Sequence, residues 1–390
     1  MKQPTRRAGL IAGIGCLLVL AGATAQAGWL FVLAAGVLAI VAGSFVAGHP
    51  SRALKIVRSL PGRVRVGDEV RVGLTVRNDG RRWVPVALLE DRFAAFEPIR
   101  VAHDPIPPGT QSHLELVRQA TRRGSFASGH VAWDCAAPFG LARSRSLFLV
   151  DSATKVVPRW VELTTFPILE PASSPSDVVH ERARTGAGEE YLGVREYRPG
   201  DPPKTVHWRS TARAGHLIVR EYEQEASVRV GLVLAGGDHG AAPDSSYEAL
   251  VSAFASVGLY SLTTGHPIDA VRATDAEPEY LASPNRTELL DWLAAAAPLD
   301  TSLAEAVKTI LPRIGRHGTV VLFSPDAGAA GDSVAEAARA VQMVGARAIA
   351  VLARSSTWSD TAGTEVTGSF ERVPVRWVGR GEDLATCLQG

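Results

Sequence analysis

The 390 residues carry 41 Lys and Arg against 40 Asp and Glu, a formal charge of +1, with three cysteines at positions 16, 135 and 387. Near-neutrality removes the electrostatic case for nucleic acid, which calls for a basic domain or stripe. Cys16, Cys135 and Cys387 stand too far apart for a zinc or redox motif and allow at most one intramolecular disulfide, a pattern that suits a reducing compartment.

At roughly 100 to 200 residues per domain, the length gives room for two or three domains with their own cores. The first region is residues 1–50. No formal charge occurs between Arg7 and His49, and Ala8 to Ala25 and Trp29 to Ala47 are each near the ~20 residues that cross a hydrocarbon core. Gln26-Ala27-Gly28 supplies a turn, so residues 8–47 predict a transmembrane helical hairpin in contact with the lipid bilayer. Lys2, Arg6 and Arg7 before it, and Arg52, Lys55 and Arg58 after it, put both ends on the cytoplasmic side of the plasma membrane. Ala25-Gln26-Ala27 also has the small-residue form of a signal-peptide cleavage site, and that alternative stays open. Gly9 and Gly13 form a small-xxx-small pair too common in such spans to carry an inference.

Residues 53–160 change to short alternating runs. In Glu69 to Arg77, Val70, Val72, Leu74 and Val76 share one face and charges take most of the other, the pattern of a half-buried strand. Asn78-Asp79-Gly80 signals a turn. Trp83 to Leu89, Ser112 to Val117, Ser125 to Trp133 and Ser146 to Val150 are further strands, and the set predicts an all-β, immunoglobulin-like sandwich. Residues 161–185, with a Pro- and Ser-rich stretch from Glu170 to Arg184, read as a linker.

Residues 186–225 pack charge, aromatics and turn residues densely. Pro199-Gly200 suits the centre of a type II turn, Lys204 to Arg213 a short helix stopped by Gly215, and Leu217, Val219 and Glu221 one face of a strand. From residue 226 to 390 strands alternate with helices. Strands are predicted at Val228 to Leu234, Pro267 to Ala273, Thr319 to Phe323, Ala346 to Leu352 and Val375 to Val378. Helices are predicted at Ser245 to Leu262, Arg286 to Ala296, Ser302 to Leu311 and Ser333 to Val344. The alternation predicts a doubly wound α/β domain with a mainly parallel sheet.

The order Glu190-Tyr191, Gly193, Arg195-Glu196-Tyr197, Gly200-Asp201, Trp208, Ala212-Arg213, Leu217, Val219-Arg220-Glu221 and Glu225 resembles the signature block of the domain of unknown function 58 family. Arg123-Gly124, Pro138-Phe139-Gly140-Leu141 and Val157-Pro158-Arg159 are also similar to it, while Ala137 stands where the family pattern has an acidic residue. The resemblance implies a membrane hairpin, a β-rich region, this block and a domain similar to von Willebrand factor type A. It also implies a MoxR-type AAA+ ATPase and other membrane proteins as partners; the family's biochemical activity is not established.

Candidate chemistry is thin. Von Willebrand type A domains carry a metal on an Asp-x-Ser-x-Ser loop with a distant Thr and Asp. Here Ala235 replaces the acidic ligand and Gly237 and His239 the serines, leaving Thr301, Asp326 and a shifted Asp238, too few oxygens for a hard cation. No metal or cofactor is expected. Glu190, Asp201 and His207 could form a hydrolytic cluster, but His207 and His216 lack the i, i+4 spacing of a metallohydrolase, and Ser210 and Thr211 lack a nucleophile elbow. The favoured reading is non-enzymatic: Arg195, Arg209, Arg213 and Arg220 pair with Glu190, Glu196, Glu221 or Asp201 as a rigid hinge, with Trp208 and Tyr197 supplying buried area. The same Arg and aromatic groups could equally be exposed for a partner protein.

Overall fold

The computed structural model describes residues 2–46, 53–136, 139–168, 185–198, 201, 203–223, 228–241, 243–274, 277–299, 301–315, 318–359 and 373–389. The uninterrupted apolar runs form helices α1 (Arg6–Ala25) and α2 (Gly28–Val46). Thr5 caps α1 by accepting a bond from the Ala8 N–H, and Gln26 ends it in the left-handed region at φ 52°. Both helices are long and apolar enough to span a bilayer, and only 17% and 11% of their spans are buried, so their apolar surface does not serve a protein core. They meet at Gly15 and Gly22: a Cβ on Gly15 would come within 2.8 Å of Leu38 Cδ2, and one on Gly22 within 3.2 Å of Leu30 Cβ. Gly9 and Gly13 face open space instead.

Two compact units make up the chain. The first comprises Met1–Trp160 with Ala241–Pro243 and Thr287–Ala297. Its larger sheet runs β6 (Ile99–His103), β5 (Ala87–Arg92), β8 (Gly124–Cys135), β9 (Ala142–Val157) and β1 (Lys2–Pro4), with β3 (Arg63–Arg65) parallel to one end of β9. Its smaller sheet runs β2 (Leu54–Ser59), β4 (Glu69–Asn78) and β7 (Gln111–Gln119). Alternation in β4 buries Val70, Val72, Leu74 and Val76, as their spacing predicts. Leu74, Val76 and Leu116 from the smaller sheet share one core with Leu89, Val131, Trp133 and Val150 from the larger, which makes the unit a β-sandwich.

The strand expected from Trp83 to Leu89 begins instead at Ala87; Val84 makes only an isolated bridge to Ile106, because Pro85 has no N–H for a ladder. β9 extends the expected Ser146 to Val150 in both directions, and β2, β3 and β6 add to the predicted set.

A second apolar cluster in this unit gathers Val72, Phe93, Phe96, Ala120 and Val156. Between the two clusters lies a layer of charge. Arg58, Asp91 and Arg118 each sit two residues from a member of one cluster and two from a residue of the other, and all three are buried. Asp91 accepts from Arg58 at 2.5 Å and from Arg118 at 2.8 Å. Arg58 also donates to Ser152 Oγ at 2.7 Å, and the two guanidinium groups lie over Phe93 and Phe96. Burial lowers the Arg118 pKa, opposed by Asp91.

The second unit comprises Val161–Gly240, Asp244–Arg286 and Pro298–Gly390. The signature hairpin of β10 (Thr185–Glu196), α3 (Trp208–Ala214) and β11 (Ile218–Glu223) lies in it. After β12 (Val230–Leu234) come the short β13 (Gly240–Ala241) and β14 (Asp244–Ser245), then α4 (Ser246–Thr263), β15 (Ile268–Arg272) and β16 (Glu279–Ala282). Next in the chain comes α5 (Arg286–Ala294), which from Thr287 on belongs to the first unit, and then, in the second, α6 (Leu303–Ile314), β17 (Thr319–Pro325), α7 (Gly328–Asp332), α8 (Val334–Met343), β18 (Arg347–Ala353), β19 (Val375–Val378) and α9 (Leu384–Gln389).

The main sheet has the order β16-β15-β12-β17-β18-β19, parallel except for β16. Numbered within the unit that is 3-2-1-4-5-6, the doubly wound order. α6 and α8 cover one face through Val307, Ile310, Ala338 and Val341, while Phe254 of α4 packs on Phe323 from the other face at 5.0 Å between ring centroids. The predicted strands and helices of this region are present with small shifts at their ends, and β13, β14, β16, α7 and α9 are additional. Within the expected linker, residues 161–168 hydrogen-bond into this unit: the Val161 N–H donates to Ser256 Oγ and Thr319 Oγ1 donates to the Ile168 carbonyl. The stretch Glu170 to Arg184 lies outside the described residues.

Candidate functional site

The signature block folds as an antiparallel hairpin with a helical excursion between its strands. Val194, Arg195 and Glu196 of β10 face Arg220, Val219 and Ile218 of β11. The register shifts between Tyr191 and Gly193, where one extra residue on β10 makes a bulge. The excursion folds back on β11: Val206 bridges to Val219, the His207 N–H donates to the Ile218 carbonyl at 2.8 Å, and the Ile218 N–H donates to Thr211 Oγ1 at 3.0 Å. Val206 and Val219 are the buried pair beneath it.

Arg195 and Asp201 lock the start of this excursion. Both guanidinium NH₂ groups donate to the carboxylate at 2.8 Å, the fork-to-fork geometry that arginine favours, and Arg195 also donates to the Glu196 carbonyl. The Arg198 N–H donates to Asp201 at 2.8 Å, and the Asp201 N–H donates back to the Arg198 carbonyl at 3.1 Å. The Arg195 hydrogen bonds, followed by that from the Arg198 backbone, lower the Asp201 pKa to about 2. The predicted corner at Pro199-Gly200 lies outside the described residues.

The expected helix from Lys204 to Arg213 divides into a 3₁₀ turn at Pro203–Thr205 and α3, because Val206 is committed to the bridge with β11. Gly215 ends α3 at φ 75°, the stop its position predicts. His207 stands at the start of α3 with Nδ1 at 2.7 Å from Ser210 Oγ. His216 Nε2 lies 3.3 Å from Glu196 Oε1.

None of the α3 residues is buried. Trp208 is 68% exposed, Tyr197 and Leu217 are exposed, and so are Lys204, Arg209, Arg213 and Arg220. The reading in which Trp208 and Tyr197 supply buried area is therefore corrected: α3 is too short to cover its own tryptophan, and the hairpin's packing is done by Val206 and Val219. Of the expected arginine–carboxylate pairs, the structure brings Arg195 and Asp201 together; Arg209, Arg213 and Arg220 have no ion pair among the described residues. Glu190, Tyr191 and Glu221 lie on the two strands with their side chains outside the described set, and Gly200 lies outside the described residues altogether.

Of the hydrolytic trio, Asp201 is bound to Arg195 and His207 to Ser210, so each has a separate structural partner. Ser210 and Thr211, which the sequence offers as nucleophiles, instead hold bonding roles, signalled by their placement in the first turn of a helix ahead of a glycine stop.

At the carboxyl ends of β12 and β17, the residues do not fit the metal that the von Willebrand type A resemblance brings to mind. Ala235 is buried and offers no side-chain oxygen, and Gly237 offers none either. Asp326 is buried with Oδ1 taken by the Ser355 N–H at 2.8 Å, and Asp238 accepts from the Tyr247 N–H at the start of α4. Thr301 Oγ1 is buried without a hydrogen-bond partner among the described residues. No cluster of three His, Cys, Asp or Glu suited to a metal occurs among the described residues.

Residues 193–354 match the family model described as protein of unknown function DUF58. No curated protein matches the chain. Among solved structures, the CARDB domain of a Pyrococcus furiosus protein is similar at 13% identity and TM-score 0.20, over 27% of this chain and 94% of that one. A β-glucosidase from Listeria innocua in complex with gluconolactone is similar at 14% identity and TM-score 0.15, over 27% of this chain and 16% of that one. AvmM, which catalyses macrocyclization in alchivemycin A biosynthesis, is similar at 11% identity and TM-score 0.16, over 25% of this chain and 88% of that one. Likeness at these scores carries no argument about function.

Proposed function

On the premise that residues 193–354 resemble the DUF58 family, we propose that this chain is a membrane-anchored, non-enzymatic adaptor whose signature hairpin docks a partner protein. The observation that carries the reading is Trp208, 68% exposed on a helix with nothing buried and shared with exposed Arg209 and Arg213, at the end of an excursion whose start Arg195 and Asp201 lock. Exposed Trp and Arg on a preorganised frame are the groups that dominate binding energy at interfaces, and the surplus of arginine selects an acidic surface. The MoxR-type AAA+ ATPase implied by the resemblance is the partner we assign, with complex assembly or maturation as the process served.

We read the α/β unit as von Willebrand factor type A-like, supported by its 3-2-1-4-5-6 sheet with an antiparallel strand at position 3, and as metal-free. The anchor is the α1–α2 hairpin in the plasma membrane with the bulk of the chain cytoplasmic. Support comes from the sandwich itself: β1 precedes α1 and β2 follows α2, yet both belong to one folded unit, in keeping with both ends of the hairpin on one side of a bilayer. Cleavage after Ala27 would strip β1 from β9 and remove the Thr5 bonds to Gly140 and Leu141, which favours retention of the first span.

The test is co-purification in mild detergent with a MoxR-type ATPase, with and without ATP. The wild-type chain is expected to retain the ATPase and a Trp208→Ala, Arg209→Ala variant to lose it with its fold intact. Equal retention by both would overturn the docking role of this hairpin.

A further inference from the structure

The outer face of the larger sandwich sheet carries a feature that the adaptor reading does not use. Register places Arg100 and Ala102 of β6, Leu88, Glu90 and Arg92 of β5, Asp134 of β8 and Arg145 of β9 on this one face. Glu90 lies at its centre and accepts from three arginines: Arg92 at 2.6 Å, Arg145 at 3.1 Å and Arg100 at 3.4 Å. The Glu90 side chain is 9% exposed, whereas Arg92, Arg100 and Arg145 are 52%, 61% and 49% exposed. One carboxylate cannot balance three guanidinium groups. The cluster keeps two net positive charges, with N–H donors still turned to the surface and Glu90 holding them in place.

Beside the cluster, Arg143 pairs with Asp134, and next to them opens an apolar groove of about 550 Å³ lined by Val86, Leu88, Ala102 and Ala136. The location of this face decides what it meets. One of its two edge strands is β1, in which Gln3 lies opposite Arg143 and Pro4 opposite Ala142, and β1 runs through Thr5 directly into α1. Thr5 is tied to the same sheet by donating to the Gly140 carbonyl at 2.8 Å. At ~3.3 Å per strand residue, Arg143 and Arg145 stand about 3 and 10 Å along β9 from the level at which the chain leaves for α1. Exposed Phe139 adjoins that point, with Arg6 and Arg7 exposed in the first turn of the helix.

We propose that this face binds the anionic lipid headgroups of the membrane that holds α1 and α2. Arg145 would take a headgroup phosphate, Arg100 and Arg92 would extend the positive charge of the face behind it, and the groove would take the apolar part of the lipid adjoining Arg145. The proposal rests on the reading of α1–α2 as a membrane anchor. Guanidinium groups match phosphate by paired N–H donation. Arg145, the nearest of the three to the point where the chain enters α1, is within about a Debye length of an anionic surface at that level, whereas Arg100 and Arg92, level with Leu147 and Leu149 of β9, stand about 17 and 23 Å along the sheet.

The test uses the full chain in neutral detergent, titrated with short-chain phosphatidylglycerol, short-chain phosphatidylcholine or inorganic phosphate and followed by native mass spectrometry. Phosphatidylglycerol is expected to bind more tightly than the other two, and affinity to fall roughly fivefold for Arg145→Gln and by less for Arg100→Gln and Arg92→Gln. Glu90→Gln removes the central negative charge and is expected to tighten phosphatidylglycerol binding, a gain that a purely structural cluster would not give.

Equal binding of the two lipids, or displacement of phosphatidylglycerol by equimolar phosphate, would overturn the proposal. Carbonate extraction of membranes separates the two readings. A chain that stays embedded but shows no headgroup preference sinks this inference alone, and a chain that washes off sinks the anchor as well.

Discussion

The two folded units solve burial differently. In the sandwich, the interior is interrupted by Arg58, Asp91 and Arg118, with an apolar cluster on either side. In the α/β unit the buried ionisable groups Asp269, Arg272 and Asp326 lie outside the apolar cluster between the sheet and α6 and α8, which runs unbroken from Val233 and Leu322 to Val341. Buried ions cost desolvation that their attraction repays only when the geometry is complete, so the sandwich depends on three residues acting together, while the α/β unit spreads its stability over many small contacts.

The sharpest way to break this contrast is Asp91→Asn, which leaves two buried guanidinium groups without their counter-charge. Unfolding of the sandwich in urea, followed by Trp133 fluorescence, is expected to show a loss of about 3–5 kcal/mol. Replacing Arg58, Asp91 and Arg118 together by Met, Leu and Met should restore or raise stability, because a packed apolar layer needs no pairing. A mild effect of Asp91→Asn would mean that the ion layer does not hold the sandwich together.

In the α/β unit the comparable change is Leu322→Ala on the central strand β17. It is expected to cost about 2–5 kcal/mol by denaturant unfolding, with no dependence on ionic strength. Smaller still is Gly215→Ala, which forces a side chain into φ 75°. Faster amide exchange confined to α3 is expected, for a loss of about 1 kcal/mol.

The pH response of the hairpin follows from Asp201. Its folded pKa of about 2 lies below the ordinary 3.8. The stability contributed by the Arg195 pair is therefore present in full above that ordinary value and is lost as pH falls through about 2. Carboxyl chemical shifts of Asp201 followed over that range check the window; a midpoint near 3.8 would show that the pair does not persist in solution. The smallest stability effect is expected for Trp208→Ala, within about 0.5 kcal/mol, since the indole covers nothing. A loss of several kcal/mol would return Trp208 to the interior and remove the docking role.

The same contrast explains what could be read from the chain beforehand. Strands buried on both faces show as continuous apolar runs, so β12, β17 and β18 were legible, and β4 was legible from strict alternation. β2 is not legible in the sequence because Leu54-Lys55-Ile56-Val57-Arg58-Ser59 places a buried arginine where a surface one is expected. At the candidate site, the Arg195–Asp201 pair and the Gly215 stop follow from local chemistry over a few residues. The exposure of Trp208 does not, because it depends on how short α3 turns out to be and on Val206 being drawn away to β11.

The strand β1 has a consequence for biosynthesis. Residues 2–4 are made before the hairpin, and their partners at 142–144 follow only after roughly 140 more residues, on the order of ten seconds at ordinary translation rates. Until β1 is seated, β9 presents unpaired N–H and C=O groups on a newly made sheet, and sequestering them falls to a chaperone or to rapid collapse of the sandwich. A bulky fusion ahead of Lys2 should therefore lower the yield of well-folded chain more than the same fusion at Gly390.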